Sequence, residues 1–151
     1  MEKDNKQYES LINSFNYNLD FNFDIKNDSI LFLSYIGDAV FNLITRDYLI
    51  KKYYKILKID EINKKTVFFV KASNQSIMID LLINNNFLND EELDIFKRGR
   101  NLHTKKRIKS ATMLDYRKST GFETLIGFLY YQKRVDRIID MCNFCFINLE
   151  I

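Results

Sequence analysis

The chain has 151 residues, 46% of them hydrophobic and 15% aromatic, and a formal net charge of +3, with no proline and four glycines. This composition can supply one core and argues against disorder, so we expect a single domain over residues 1–151. Because no apolar run reaches the ~18 residues of a membrane span, and the polar N-terminus lacks the apolar stretch of a signal peptide, we expect a cytoplasmic protein.

The apolar residues recur with helical periodicity, and no segment alternates apolar and polar side chains as a strand does, so we predict an all-α fold. A short helix is predicted around residues 8–15, followed by a loop rich in Asn and Asp. Asp28 or Ser29 is expected to cap a long helix over about residues 30–52. Because that helix is apolar on most sides, it should be central and buried.

The middle of the chain is predicted to form two helices. Asp60 can cap one long helix that stops at the three asparagines of residues 84–86. Asn89 and Glu92 have the spacing of a capping box, which should open a short helix that ends at Gly99.

The last third is predicted to form one helix that carries the apolar residues of 122–130 and another over about residues 134–149. The second of these contains a C-x-x-C motif, formed by Cys142 and Cys145. Zinc normally requires four ligands, and His103, the one histidine, lies in a different segment. We therefore interpret the two cysteines as small apolar residues on one helix face.

The charges are unevenly distributed. Residues 97–118 contain nine of the 23 basic residues and one of the 20 acidic residues, so the rest of the chain is acidic. This separation is typical of a surface that binds a polyanion, and a solvated charged face is the alternative. The candidate nucleic-acid contacts are Arg98, Arg100, Asn101, Lys105, Lys106, Arg107 and Lys109. His103 is interpreted as a phosphate contact or an exposed side chain, and not as a catalytic base.

A polar stripe interrupts the apolar pattern of the first long helix. Its members, at spacings of four, four and three, share one helix face: Ser34, Asp38, Asn42 and Thr45. Gly37, beside Asp38, allows another backbone or a ligand to come close. A carboxylate in such a helix is costly to bury unless it is paired, hydrogen-bonded or bound to a metal.

Glu123 raises the same question in a second apolar helix. Two structural explanations stay open: Thr120 and Glu123 can form an N-terminal capping box, and Asp38 can pair with Arg46 or Arg117. The functional alternative is that Asp38 and Glu123 converge as catalytic residues and bind Mg²⁺, with Mn²⁺ as a substitute. An ion held in this way can activate a water and offset charge that develops on a phosphate.

Three motifs resemble those of the ribonuclease III superfamily, and they occur in the family's order. They are YIGDAVF at residues 35–41, RGRN at 98–101 and STGFETLIGFLY at 119–130. The second motif, before a basic loop, resembles the Mini-ribonuclease III branch, whose members are nuclease domains without an attached double-stranded-RNA-binding domain. The resemblance covers about residues 29–131.

The resemblance carries over only part of the acidic set of full-length ribonuclease III enzymes. Asp38 and Glu123 match that set. The glutamates seven and four residues before the aspartate are replaced by Leu31 and Ser34, and Thr120 replaces the aspartate three residues before the glutamate. Mini-ribonuclease III members resemble this chain in that reduction, which implies that more of the metal shell comes from water and RNA phosphate.

The resemblance implies the ribonuclease III helical fold and a homodimer with one Asp/Glu site per protomer, with Tyr35 and Ile36 expected near the dimer contact. It also implies Mg²⁺-dependent cleavage of double-stranded RNA to 5′-phosphate and 3′-hydroxyl ends with a short 3′ overhang. The implied role is maturation of precursor 23S ribosomal RNA, with a ribosomal protein as helper. Two alternatives stay open: a non-catalytic, double-stranded-RNA-binding or ribosome-associated homodimer, and a helical dimer whose basic loop binds an acidic protein surface.

Overall fold

The structure, a computed structural model, describes residue 15, residues 17–102 and residues 112–149. In these ranges the chain forms six helices and no strand, which confirms the predicted all-α fold. The helices are α1 (Leu31–Tyr53), α2 (Ile59–Val70), α3 (Ala72–Asn84), α4 (Asp90–Arg100), α5 (Met113–Tyr131) and α6 (Val135–Leu149). The short helix predicted around residues 8–15 lies almost entirely outside the described residues.

The central helix is α5, which packs against α1, α3, α4 and α6. Ten of its 19 residues are buried, against five of the 23 residues of α1. The prediction that α1 would be the buried central helix is therefore wrong. Its apolar residues lie on two sides, and only one side faces the core. The other side leaves Phe32, Tyr35 and Leu43 exposed.

Glycines set the close contact between α1 and α5. A Cβ atom on Gly37 would overlap the carbonyl oxygen of Glu123, and one on Gly127 would overlap the carbonyl oxygen of Leu33. The contact order, 33 with 127 and 37 with 123, makes the two helices antiparallel. Backbones can come this close only where no side chain intervenes.

The other two glycines bring α4 against α5. Gly99 lies against Thr124 and Gly121, and Gly121 lies against Phe96. Gly99 was predicted to end its helix, a position where glycine commonly adopts a positive φ. It lies instead inside α4, which continues to Arg100, and no described glycine has a positive φ. Gly99 is therefore needed because a side chain would overlap α5, and not because the chain turns at this residue.

The long helix predicted from Asp60 to the asparagines of residues 84–86 is instead two helices, α2 and α3, which are bent by 59° relative to each other. The break is at Lys71, whose backbone is extended (φ −66°, ψ 147°). The side chains of Asn74 and Gln75 bind the carbonyl oxygens of Phe68 (2.6 Å) and Val70 (2.9 Å), which satisfies backbone groups near the break. The predicted end of α3 at residues 84–86 is confirmed.

The helix caps were predicted with mixed success. The capping box of Asn89 and Glu92 is confirmed, since each side chain accepts a hydrogen bond from the other residue's backbone N–H. The predicted caps Asp28 and Ser29 are wrong, because α1 begins after Ile30 and Asp28 accepts a hydrogen bond from the backbone of Asp24. α2 likewise begins after Lys58 and not at Asp60.

The two cysteines belong to the core, as predicted. Cys142 and Cys145 are free and buried on one face of α6. Burial raises the pKa of Cys142 well above its usual value and that of Cys145 to about 12. Both thiols are therefore protonated and apolar at neutral pH.

In the described part of the chain, no single helix is both long enough and apolar enough to cross a membrane. The bent pair α2 and α3 has the length and apolar composition of a membrane span only when its two helices are counted together.

A buried ion pair joins α4 to α6. The Arg137 guanidinium donates to both carboxylate oxygens of Glu92 at 2.8 Å, and Glu92 is fully buried. We expect Arg137→Ala to lower the free energy of unfolding by about 3–5 kcal/mol, because it leaves a buried charge without its partner. Urea denaturation of the two proteins measures this difference.

The matched control is the exposed pair of Lys51 and Asp47, whose atoms lie 2.6 Å apart on one face of α1. Lys51→Ala should cost less than about 1 kcal/mol, since water screens that pair. If Arg137→Ala and Lys51→Ala lowered the free energy of unfolding by the same amount, the role assigned to Arg137 would be contradicted.

Candidate active site

The side chains of Asp38 and Glu123 meet where α1 crosses α5. Glu123 follows the close α4–α5 contact at Gly121, and Asp38 follows Gly37, whose Cα lies against the Glu123 backbone. The two carboxyl groups are within hydrogen-bonding reach of each other. Two acids that are 85 residues apart in sequence, 38 and 123, are therefore adjacent in space.

The two acids differ in exposure. Glu123 is half-buried, whereas Asp38 is exposed. The expectation that Asp38 is buried among apolar side chains is therefore wrong, because its face of α1 opens to solvent. The exposed side of the pair leaves room for a large substrate to reach both carboxylates.

The two carboxyl groups change each other's ionisation. Burial, and then the neighbouring Asp38 carboxylate, raise the pKa of Glu123 to about 8, while a hydrogen bond from Gln75 opposes them. Two carboxylates in contact cannot both ionise without cost unless a cation or proton lies between them. This arrangement fits a hard divalent cation such as Mg²⁺, which prefers oxygen ligands.

The carboxylate of Asp38 also has a side-chain amide as a neighbour, that of Asn42. Asn42 Nδ2 donates to Asp38 Oδ1 at 2.9 Å, and Asn42 Oδ1 accepts from Arg46 at 3.2 Å. Among the described residues neither Arg46 nor Arg117 forms an ion pair with Asp38, so the predicted arginine partner is wrong. Arg46 reaches Asp38 only through Asn42.

The capping-box explanation of Glu123 is also wrong. Thr120 lies in the middle of α5, and its hydroxyl donates to the Tyr116 carbonyl oxygen at 3.0 Å. The cap of α5 is Thr112, whose hydroxyl accepts from the Asp115 N–H. Thr120 is therefore not the N-cap of α5.

The polar stripe of α1 divides into an open part and a buried part. Ser34 and Asn42 are half-buried near the site, whereas Thr45 is fully buried, and its hydroxyl has no hydrogen-bond partner in the described chain. Among the described residues no cluster of three His, Cys, Asp or Glu side chains forms a metal site. A bound ion would thus take its remaining ligands from water or substrate.

Sequence reasoning missed Gln75 and Ser119. Gln75 is 1% exposed, and its side chain contacts Glu123 and Ser119. The available signal was a run of polar residues, Ser73 to Ser76, at a position predicted to lie inside an apolar helix. Such residues are buried only with partners.

The candidate nucleic-acid contacts are partly described. Arg98 is exposed, while Arg100 is half-buried, stacks over Phe96 and donates to Asn101 Oδ1 at 3.2 Å. The contact of Gly99 with Thr124 puts the last turn of α4 against the turn of α5 that carries Glu123. The remaining candidates, and His103, lie outside the described residues: Lys105, Lys106, Arg107 and Lys109.

Known proteins are similar to this chain in sequence and in fold. A family model described as the ribonuclease III domain matches residues 31–134, which include both acids. A crystal structure of a Fusobacterium nucleatum protein superposes with a TM-score of 0.69 at 32% identity, covering 81% of this chain and 94% of that one. The fold is that of a ribonuclease III domain.

Curated relatives narrow the class. The Mini-ribonuclease 3 of Clostridium tetani is 44% identical over 83% of this chain and 81% of its own length. That of Staphylococcus aureus is 38% identical over 75% of this chain and 83% of its own. The chain therefore belongs to the Mini-ribonuclease 3 branch of the ribonuclease III family, and it is an endoribonuclease, a hydrolase that acts on RNA.

The raised pKa of Glu123 predicts how stability depends on pH without metal. The folded-state pKa of about 8 exceeds the ordinary value of 4.5, so the stabilisation is complete below pH 4.5 and is lost as pH rises through 8. The loss should be on the order of 1–3 kcal/mol, after allowance for partial exposure and coupling to Asp38.

Thermal melting in chelator between pH 5 and 9 measures this effect. Glu123→Gln cannot ionise, so its melting temperature should fall less than that of the wild type across this range. Parallel curves for the two proteins would mean that Glu123 titrates as an ordinary surface glutamate.

Proposed function

We propose that this protein cleaves double-stranded RNA in a Mg²⁺-dependent reaction, with Mn²⁺ as a substitute ion and with Asp38 and Glu123 as its metal-binding and catalytic residues. The observation that carries the proposal is the meeting of these two carboxylates at the α1–α5 crossing. Their contact is unfavourable when both are ionised unless a cation lies between them, and the open side of Asp38 gives a duplex access to the pair.

Each residue around the pair has a separate task in this proposal. Asp38 and Glu123 supply anionic oxygens, and Asn42 holds the Asp38 carboxylate through the hydrogen bond to Oδ1. The chemistry that a divalent ion supplies when bound is an acidified water and a positive charge beside the scissile phosphate. Arg46, exposed one turn beyond Asn42, adds positive charge on the same face of α1.

The protein acts as a homodimer in this proposal, so that two sites cut opposite strands. Support comes from the exposed face of α1, where Phe32, Tyr35 and Leu43 are 65%, 83% and 63% exposed. Their spacing of three and eight residues puts them on one side of the helix, which is typical of a surface that a partner covers. Sedimentation velocity at assay concentrations tests this, and a monomer that cleaves both strands would contradict it.

The substrate and metal requirements are tested with end-labelled RNA. Purified protein is incubated with a duplex or with either strand alone, in Mg²⁺, in Mn²⁺ or in chelator. We expect cleavage of the duplex only, in either metal, with 5′-phosphate and 3′-hydroxyl products. Equal cleavage of single strands, or cleavage in chelator, would contradict the proposal.

The alternative expected from the sequence, a non-catalytic RNA-binding homodimer, conflicts with the endoribonuclease family to which the chain belongs. Binding of the duplex without turnover in either metal would overturn the proposed cleavage and support that alternative. The proposed biological role is maturation of precursor 23S ribosomal RNA in the cytoplasm, with a ribosomal protein as helper. Accumulation of the unprocessed precursor in cells that lack the protein tests that role.

The basic segment of residues 97–118 is proposed to bind the RNA backbone. Lys105→Ala/Lys106→Ala/Arg107→Ala should weaken duplex binding and reduce the slope of log affinity against log salt by about 1 to 3, since fewer counterions are released. Filter binding at several salt concentrations measures the slope. Lys55→Ala/Lys64→Ala, exposed lysines outside the segment, is the control and should keep the wild-type slope. An unchanged slope in the triple variant would remove the segment from the RNA interface.

A further inference from the structure

Gln75 is a buried amide whose orientation is fixed by its surroundings. Its Nε2 lies 2.9 Å from the carbonyl oxygen of Val70, and its Oε1 accepts a hydrogen bond from the Ser119 hydroxyl at 2.7 Å. A carbonyl oxygen only accepts hydrogen bonds, so the atom that faces Val70 must be the amide nitrogen. Turning the amide over would place its oxygen against the Val70 carbonyl oxygen, so that bond would be lost.

Ser119, which donates to this amide, precedes Glu123 by one turn of α5, so Gln75 lies on the face of α5 that carries Glu123. There its amide, acting as a hydrogen-bond donor, opposes the rise in the pKa of Glu123. Gln75 is 1% exposed and Ser119 is 6% exposed, so water does not compete for these contacts. The chain of contacts runs from the α2–α3 break through Gln75 to Glu123 on α5, and Ser119 connects α5 back to the same amide. The Glu123 side chain therefore has Gln75 of α3 and Asp38 of α1 as neighbours.

We infer that Gln75 is a positioning residue, which holds the Glu123 carboxylate in the orientation that binds the divalent ion, with Ser119 and the Val70 carbonyl fixing its amide. The inference rests on the proposed function, since it concerns the same metal site. Hydrogen-bond partners behind a metal ligand typically change metal affinity by about 10- to 100-fold when they are removed. Gln75 contacts only Glu123 of the pair, so its loss should weaken the site without removing it.

The neighbouring residue offers a matched control. Asn74 is also buried, and its side-chain amide also binds a carbonyl oxygen of α2, that of Phe68 at 2.6 Å. The two amides therefore share the role of stabilising the α2–α3 break, and only Gln75 extends to Glu123. Gln75→Met and Asn74→Leu remove each amide at similar volume, so a purely structural role predicts the same result for both.

The experiment follows Mn²⁺ in two ways: the rise in melting temperature with Mn²⁺ concentration, and the Mn²⁺ dependence of duplex cleavage. Gln75→Met should raise the half-saturating Mn²⁺ about tenfold in both titrations, with most of the cleavage rate recovered at saturation. Asn74→Leu should lower the melting temperature in chelator and keep the wild-type half-saturation. Ser119→Ala, the milder change, should shift half-saturation in the same direction by about twofold to fivefold.

Two results would overturn the inference, and they are distinguishable. If Asp38→Asn and Glu123→Gln abolish the Mn²⁺-dependent stabilisation while Gln75→Met and Ser119→Ala leave half-saturation unchanged, Gln75 is structural and the metal site stands. If Mn²⁺ stabilises the Asp38 and Glu123 variants as it does the wild type, the metal site itself is wrong and the inference fails with it.

Discussion

Replacing either acid of the site, by Asp38→Asn or Glu123→Gln, is expected to lower the single-turnover rate of duplex cleavage by at least about 10³-fold. That loss corresponds to about 4 kcal/mol of barrier, which is within what a bound ion supplies to phosphoryl chemistry. Only two protein carboxylates are available at the described site, so neither loss can be compensated. Binding of the duplex should persist, because each change removes a negative charge that faces RNA phosphate.

The control for these variants is Asp47→Asn. Asp47 is an exposed acid on the same helix and pairs with Lys51. The Asp47→Asn protein should cleave the RNA duplex at the wild-type rate. Cleavage by Asp38→Asn within tenfold of the wild type would mean that the reaction does not depend on this carboxylate.

Gly37→Ala is expected to lower both stability and cleavage. The added Cβ would overlap the Glu123 carbonyl oxygen and approach the Gly127 nitrogen at 2.9 Å, and both neighbours are backbone atoms of a buried helix. Such overpacking costs about 1–3 kcal/mol or more, and the gain in helix propensity returns only about 1 kcal/mol. We expect a net loss of roughly 2 kcal/mol. Because the displaced backbone carries Glu123, cleavage should fall even where the variant remains folded.

The control is Ala39→Val, which adds two methyl groups at an exposed position of the same helix. It should cost less than about 1 kcal/mol and leave cleavage unchanged. Urea denaturation and the single-turnover cleavage rate measure both properties on the same preparations. A Gly37→Ala protein as stable as the wild type would mean that α1 and α5 are not in backbone contact.

The sequence predicted the helical class and the two acids, because periodicity and motif order are local properties that need no knowledge of packing. Local patterns failed where tertiary contacts decide. The chain breaks at Lys71, between α2 and α3, although neither proline nor glycine is present there. The side chains of Asn74 and Gln75 stabilise the break by binding carbonyl oxygens at the end of α2. Glycine is common at helix ends, which is why Gly99 was predicted to end its helix. In the structure it is needed instead because a side chain there would overlap Thr124.

Burial could not be inferred from composition alone either. Asp38 lies in an apolar segment and is nevertheless exposed, since α1 turns an apolar face as well as its acid to solvent. Gln75 is nearly fully buried beside the site, and the polar run that contains it indicated buried partners without indicating which residues they are. Both cases depend on which side of a helix meets α5, and that contact is set by glycines far apart in sequence.

The central claim, that Asp38 and Glu123 together bind a divalent ion, is tested most directly by counting bound Mn²⁺. Electron paramagnetic resonance of free Mn²⁺ gives the binding curve of the RNA-free protein and of the Asp38→Asn/Glu123→Gln double variant. We predict a saturable site in the wild type that is absent from the double variant, with both proteins equally helical by circular dichroism. Equal stoichiometry and affinity in the two proteins would contradict the assignment of the metal to this pair.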